Sequence, residues 1–238
     1  RPVDTLKHPS IVIDHRHPRE EFSKGRGIHG LMVLRNLQLT ESSDFTELFR
    51  DEVNHTCVWF KFRTMVVGGY YLPPSLDLAI CRESLLIASE FVEDQNQNVF
   101  LVGDLNLRMG LLTGDSNKNS RTRLWDTIEE MGFRWHQPDE GKWTIDTTRG
   151  RSVVDYVFAN PQAQRTVRST KVWEAEWVSG SDHRVVSCDT ECDNHLGESV
   201  LSLPNTFSRS SQCIWKIRSS DLSKPETQEA VRRQFDNS

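Results

Sequence analysis

The feature that most constrains this chain is the apolar run Val99–Val102, which ends abruptly in Gly103, Asp104 and Asn106. A short, continuous apolar run of this kind is typical of a buried strand. The ends of such strands are where α/β folds tend to place their chemistry. Because Asp and Asn are also ordinary turn residues, the stretch alone fits a plain turn equally well. Its interpretation depends on the stretches that accompany it.

Three other stretches join strand-like sequence to polar side chains. Tyr71-Leu-Pro-Pro74 closes an apolar run, since proline cannot donate a hydrogen bond to a sheet ladder. Asp155 follows two valines, and a carboxylate in such a strand requires a partner, for which a nearby arginine would suffice. Ser181-Asp-His183 precedes a further apolar run, although a lone histidine in a loop is often only a solvated residue.

The hydrophobic pattern alternates between strand and helix periods, and it favours a layered α/β fold with mixed sheets over a parallel Rossmann sheet. One helix is predicted from a cap at Ser75 to about Asp94, and another at Arg121–Met131 with Gly132 after its end. Strands are predicted at Ile11–Ile13, Gly30–Arg35, His55–Phe62, Met65–Tyr71, Val99–Val102, Lys142–Asp146, Ser152–Phe158, Thr170–Glu174 and Arg184–Cys188.

The charge distribution of the chain is compatible with phosphate binding but does not establish it. The net charge of −5 does not by itself indicate a nucleic-acid-binding protein. Binding depends more on a local basic surface than on the total charge, and basic residues do cluster in the second half of the chain. From this cluster we expect phosphate contacts by Arg149, Arg151 and Arg168.

Cysteine usage and hydropathy indicate the compartment and whether a membrane partner is expected. The chain has 5 cysteines without the regular spacing of a disulfide framework or a zinc site, which favours free thiols in a reducing, intracellular compartment. No uninterrupted apolar run approaches the length of a membrane span, so no membrane partner is expected.

Taken in chain order, the four polar stretches resemble the motifs of the endonuclease/exonuclease/phosphatase superfamily. The resemblance covers roughly residues 25–190. It implies a DNase I-like fold, a four-layer α-β-β-α sandwich with two mixed sheets. It also implies an enzyme that cleaves phosphate esters with a divalent metal, Mg²⁺ or Mn²⁺.

The resemblance assigns roles to the two motifs that contain Asp104 and His183. Gly103-Asp-Leu-Asn106 is similar to the family's Gly-Asp-Phe-Asn motif, with Leu in place of Phe. It implies that Asp104 holds the attacking water as general base and that Asn106 donates a hydrogen bond to a phosphate oxygen. Ser181-Asp-His183 matches the Ser-Asp-His motif, which implies that Asp182 is a metal ligand and that His183 contacts the scissile phosphate.

Two further residues are assigned in the same way. Asp155 matches the family's Asp that holds the histidine through a carboxylate–imidazole hydrogen bond. Tyr71 matches the Tyr of the Tyr-x-Pro motif, whose hydroxyl reaches the phosphate. Because Tyr70 is adjacent, the register of this motif stays open by one residue.

Within the superfamily, the motifs look most like the endonuclease of non-LTR (LINE-like) retrotransposons. That branch implies an endonuclease that nicks target DNA in the nucleus and works with a reverse transcriptase in the full-length protein. A phosphatase of the same fold is the alternative enzyme. A nucleic-acid-binding remnant without catalysis is the alternative from another class.

One departure from the family concerns the start of the chain. The family begins with a strand carrying an Asn and another ending in a metal-binding Glu, and neither pattern stands before Gly25. Acids do occur there, but none follows an apolar strand in the family's Glu-Thr pattern: Asp4, Asp14, Glu20 and Glu21. We therefore expect an N-terminally incomplete catalytic domain at 1–193, followed by a linker and connector at 194–238.

Overall fold

A computed structural model describes residues 11–16, 31–36, 44–92, 97–115, 119–148, 150–173, 182–191 and 211–214. Its strands are β1 (Ile11–Arg16), β2 (Met32–Asn36), β3 (Phe45–Arg50), β4 (Cys57–Phe62), β5 (Met65–Tyr71), β6 (Asn98–Asp104), β7 (Arg134–Trp135), β8 (Ile145–Thr147), β9 (Gly150–Ser152), β10 (Asp155–Ala159), β11 (Val167–Val172), β12 (Val186–Thr190) and β13 (Ser211–Ile214). Its helices are α1 (Leu78–Leu86), α2 (Ser89–Val92), α3 (Thr122–Glu130) and α4 (Pro161–Gln164).

A six-stranded sheet, ordered β3-β4-β5-β6-β10-β7, forms the centre of the fold. The β5–β6 pair is parallel and the other neighbours are antiparallel, so this sheet is mixed. A second sheet has the order β11-β12-β13, and β1-β2 and β8-β9 form separate antiparallel pairs. The predicted α/β class with a mixed sheet is confirmed. The second sheet, however, is antiparallel over its described strands rather than mixed.

The two faces of the six-stranded sheet bury different side chains, because successive strand residues point to opposite faces. One face, the helix-facing core, packs against α1 and α3 through large side chains such as Tyr70, Leu101 and Tyr156. The other face, the inter-sheet core, packs towards Val186 and Cys188 of β12. Its buried members include Val67, Phe100, Val102, Val157 and Ala159. The described residues therefore form a mixed sheet with flanking helices on one face and the second sheet towards the other, a DNase I-like arrangement.

The helix predicted from Ser75 to Asp94 was wrong at its start and in its continuity. The N-cap is Asp77, whose carboxylate accepts a hydrogen bond from the Ala79 amide at 2.7 Å. The helix ends at Leu86, whose backbone carbonyl accepts a hydrogen bond from the Ser89 hydroxyl at 2.6 Å. The short helix α2 follows separately. Short polar side chains that bond to the backbone compete with helical hydrogen bonds in this way. The second predicted helix is confirmed as α3.

Three strands lie where none was predicted, namely β3, β7 and β13. β3 carries exposed residues at three successive positions, so it has no apolar alternation that would indicate a strand. β13 lies inside the segment 194–238 predicted as linker and connector, and it pairs antiparallel with β12. The boundary at residue 193 stays a prediction. Within the described residues, no helix is long and apolar enough to span a bilayer.

Candidate functional site

Three predicted site residues form a row across neighbouring strands of the six-stranded sheet. Tyr71 is paired in register with Asp104 across the parallel β5–β6 ladder, and Asp155 is paired with Asp104 across the antiparallel β6–β10 ladder. Paired positions place their side chains on the same face. Since Val102 and Val157 are the next pair along the same face, the row continues the inter-sheet core to its end.

Gly103 allows β6 to deliver Asp104 to this row. It has a φ of +130°, and an added Cβ would lie 3.0 Å from the carbonyl carbon and the amide nitrogen of Tyr70. Asp104 is 3% exposed, and its side chain accepts a hydrogen bond from the Asn106 amide at 3.0 Å. The stretch is thus a capped turn as well as a site, so the two interpretations of its sequence coexist.

His183 joins the row from the segment that leads into β12. Its Nδ1 lies 2.8 Å from Oδ2 of Asp155, and each side chain is only 11% exposed. The buried Thr144 hydroxyl fixes Asp155 by accepting a hydrogen bond from its amide at 3.1 Å, and the Thr144 carbonyl accepts one from the Arg184 amide at 2.7 Å. Thr144, which precedes β8, therefore contacts both Asp155 and Arg184, the residue that follows His183.

These groups form a cluster of potential metal ligands. One ligand atom from each of Asp104, Asp155 and His183 lies within 4.8 Å of the others. Two carboxylates and one imidazole in such proximity can hold a divalent cation. Asp182 is not part of this cluster, and its backbone carbonyl accepts a hydrogen bond from the Asp146 amide at 3.1 Å.

The Asn106 side chain makes a hydrogen bond within the protein. Its Nδ2 donates to the Leu72 carbonyl at 3.1 Å, and it adopts a φ of 50°. The side chain therefore ties the end of β6 to the end of β5. One N–H of an amide group remains after such a bond, so donation to a phosphate stays a prediction.

The two tyrosines of the motif lie on opposite faces of the sheet, and this decides its open register. The Tyr70 hydroxyl donates to the Ser84 carbonyl at 3.0 Å and accepts from Nε1 of Trp59 at 3.1 Å. Burial in the helix-facing core raises the pKa of Tyr70 well above its usual value. Tyr71, on the opposite face beside Asp104, is the residue that the structure brings to the site.

The comparisons with known proteins agree with this geometry. The family described as endonuclease-reverse transcriptase matches residues 65–187, just over half of the 238 residues. The chain belongs to the endonuclease-reverse transcriptase family. This membership confirms the predicted endonuclease/exonuclease/phosphatase superfamily, and the matched range includes Tyr71, Asp104, Asp155 and His183.

Two solved structures have a similar fold. One is the endonuclease domain of TRAS1, a telomere-specific non-LTR retrotransposon, with 22% identity, a TM-score of 0.50, and coverage of 61% of this chain and 66% of that domain. The other is an AP endonuclease from Archaeoglobus fulgidus, with 14% identity, a TM-score of 0.52, and coverage of 67% of this chain and 74% of that protein. At such identities the likeness shows the fold alone. Among curated proteins, no match was found.

The basic residues predicted to bind DNA do not lie together in the structure. Arg149 lies outside the described residues. Arg151 is 61% exposed, and its Nε lies 3.0 Å from Oδ2 of Asp146, the same oxygen that Nη2 of Arg184 contacts at 3.0 Å. Sequence reasoning missed Arg184 and Asp146, although Arg184 directly follows His183. The arginine fork has five N–H donors, so one carboxylate does not exhaust them.

Arg168 lies towards the far end of the second sheet. Its Nε is paired with Glu191 at 3.0 Å, and the adjacent Thr190 hydroxyl contacts the Met65 sulfur. Met65 is the first residue of β5 and Tyr71 the last, a separation of about 20 Å along an extended strand. The structure therefore does not bring Arg168 to the site, and its predicted DNA contact stays a prediction.

Proposed function

We propose that this chain is a divalent-metal-dependent endonuclease that hydrolyses DNA phosphodiester bonds and nicks target DNA for a retroelement. The observation that carries the proposal is the 2.8 Å contact between Asp155 and His183, formed beside the buried Asp104 carboxylate. Membership of the family supports phosphate-ester hydrolysis in general. DNA as the substrate and the retroelement setting are the finer parts of the proposal.

The residues present can perform the proton transfers and the charge stabilisation that this reaction needs. A phosphodiester is anionic and repels a nucleophile, so hydrolysis requires positive charge and an oriented water. Asp155 accepts a hydrogen bond from Nδ1–H of His183, which favours the imidazolium and leaves Nε2–H for a phosphate oxygen. Asp104 is the group that accepts a proton from the attacking water.

The donor set fits a hard divalent cation. Mg²⁺ is held in enzymes by one or two carboxylates together with substrate phosphates and several waters, and Asp104 and Asp155 supply two carboxylates in the 4.8 Å cluster. When bound, such a cation polarises the phosphoryl oxygens and stabilises the charge of the transition state. Asp182 stays the ligand predicted from the resemblance. Because a carboxylate has two oxygens, Asp104 can face the cation with one and the attacking water with the other.

The setting of the reaction is part of the same proposal. The matched family is described as endonuclease-reverse transcriptase, and TRAS1 is a non-LTR retrotransposon. We therefore expect DNA as the macromolecular partner, a reverse transcriptase as the associated activity, and the nucleus as the location.

A substrate panel tests the proposal against its alternatives. Supercoiled plasmid, a phosphoinositide and a labelled DNA probe are incubated with the chain in Mg²⁺ and in Mn²⁺. Metal-dependent nicking that His183→Ala lowers by about 10²–10³-fold supports the endonuclease, since a single donor to the charge of the transition state contributes about that much to rate. Hydrolysis of the phosphoinositide without nicking would favour a phosphatase. DNA binding without either reaction would indicate a non-catalytic remnant.

A further inference from the structure

Arg121, the residue before α3, is a buried cation that has no role in the proposed hydrolysis. It is 6% exposed, and its guanidinium contacts four backbone carbonyl oxygens. Nη1 donates to Leu72 at 2.9 Å and to Leu105 at 3.4 Å, and Nη2 donates to Leu76 at 3.0 Å and to Pro73. Among the described residues, no carboxylate forms an ion pair with this arginine.

Stability alone does not account for a cation in this position. Burying a charge is costly unless it is paired, and apolar replacements of buried ionic groups are often neutral or stabilising. The helix-facing core next to the guanidinium already contains Leu72, Leu105 and Leu124, all fully buried. An apolar side chain at position 121 would remove the donors to these four carbonyl groups, so the arginine fixes where the carbonyl groups lie.

The carbonyl groups belong to the two segments that present the candidate site. Leu72 follows Tyr71 at the end of β5, and Leu105 lies between Asp104 and Asn106 at the end of β6. The segments are also joined directly, because the Leu72 amide donates to the Asp104 carbonyl at 2.9 Å and Asn106 Nδ2 donates to the Leu72 carbonyl at 3.1 Å. The Arg121 guanidinium adds hydrogen bonds to the Leu72 and Leu105 carbonyls of the same two segments. A planar fork reaches carbonyl groups on two segments at once, which a compact ammonium cannot reproduce.

We propose that Arg121 is a positioning residue that holds the Asp104–Asn106 turn against the end of β5 and so sets the geometry of hydrolysis. It touches neither substrate nor reacting atoms and acts through Asp104. The inference rests on the proposed endonuclease function. A displacement of about 1 Å at a reacting group can cost about 100-fold in rate. Weakening the hydrogen bonds of Arg121 should therefore lower kcat by up to that factor.

The test compares Arg121→Lys with Arg134→Lys. Arg134 also donates to backbone carbonyls, at 3.1 Å and 2.9 Å, but it is exposed and lies in β7, beyond the end of α3. Plasmid nicking is measured at a temperature where circular dichroism shows every variant fully folded. For Arg121→Lys we expect a 10- to 100-fold lower kcat with a KM within about twofold, because the phosphate-contacting groups are intact. Arg134→Lys should match the wild type.

An unchanged kcat in folded Arg121→Lys would overturn the proposal, and so would a loss that equals the loss of folded protein. A wild-type chain that does not nick DNA refutes the proposed function instead. The positioning role of Arg121 is then tested by NMR. The readout is solvent exchange of the Asn106 side-chain amide, which bonds to the Leu72 carbonyl. Faster exchange in Arg121→Lys than in Arg134→Lys supports the positioning role, and equal exchange overturns it.

Discussion

Replacing Gly103 with alanine should destabilise the fold and displace Asp104. Gly103 has a φ of +130°, a conformation that residues with a Cβ rarely adopt. The added Cβ would lie 3.0 Å from the carbonyl carbon and amide nitrogen of Tyr70, and closer still to its carbonyl oxygen. Because these atoms belong to the backbone of the adjacent strand β5, relief of the contact requires the two strands to move apart.

Gly150 provides a matched control for the magnitude. It has the same φ of +130°, but an added Cβ would meet nothing within 4 Å. Gly150→Ala should therefore cost the backbone strain alone, about 1–3 kcal/mol. Gly103→Ala adds the cost of overpacking, again about 1–3 kcal/mol, for a total of about 2–6 kcal/mol. Against a usual domain stability of about 5–15 kcal/mol, that loss is large.

Urea unfolding followed by tryptophan fluorescence measures both losses. The free energy of unfolding of Gly103→Ala should lie about 1–3 kcal/mol below that of Gly150→Ala, with similar m-values. Nicking by the folded fraction should fall in Gly103→Ala and stay unchanged in Gly150→Ala. Equal losses of stability would refute the reasoning, because they would mean that β5 and β6 separate at no cost.

Two further predictions concern charged side chains. Arg151→Ala should weaken binding to unrelated DNA sequences about equally and reduce the salt dependence by about one phosphate contact, as measured by filter binding over a salt series; binding that ignores salt would contradict it. Asp51→Asn should lower the free energy of unfolding at pH 7 by about 1–3 kcal/mol. Burial raises the pKa of the Asp51 carboxyl, but hydrogen bonds from Thr56, Asn54 and Val53 together outweigh burial and hold that pKa below its usual value. Because the folded pKa is depressed, this stabilisation is present above about pH 4 and is lost as the pH falls through the folded value, so urea titrations of the two proteins should converge in acid.

Sequence reasoning succeeded where the signal is local. The prolines after Tyr71 predicted the end of β5, and the apolar run before Asp104 predicted β6. The row of Tyr71, Asp104 and Asp155 depends on register, which local pattern does not contain. Its members were anticipated only because their motifs resemble those of a known superfamily.

Sequence reasoning does not reach contacts that are set by a distant partner. Arg168 clusters with other basic residues in sequence, yet the direction of β11 carries it away from the site and beside Glu191. Arg121 stood at the start of a correctly predicted helix, and nothing nearby in sequence shows that its guanidinium binds carbonyls of Leu72 and Leu105. Such contacts are set by the packing of segments that are far apart in the chain.

The most direct test of the central claim is the initial rate of plasmid nicking in Mg²⁺ by Asp155→Asn, compared with Asp126→Asn. Asp126 is an exposed carboxylate on α3, so its change removes the same charge without touching the site. If the Asp155–His183 pair stabilises the transition state, Asp155→Asn should lower the rate by about 10²–10⁴-fold while Asp126→Asn matches the wild type. Nicking by folded Asp155→Asn at the wild-type rate would contradict the account.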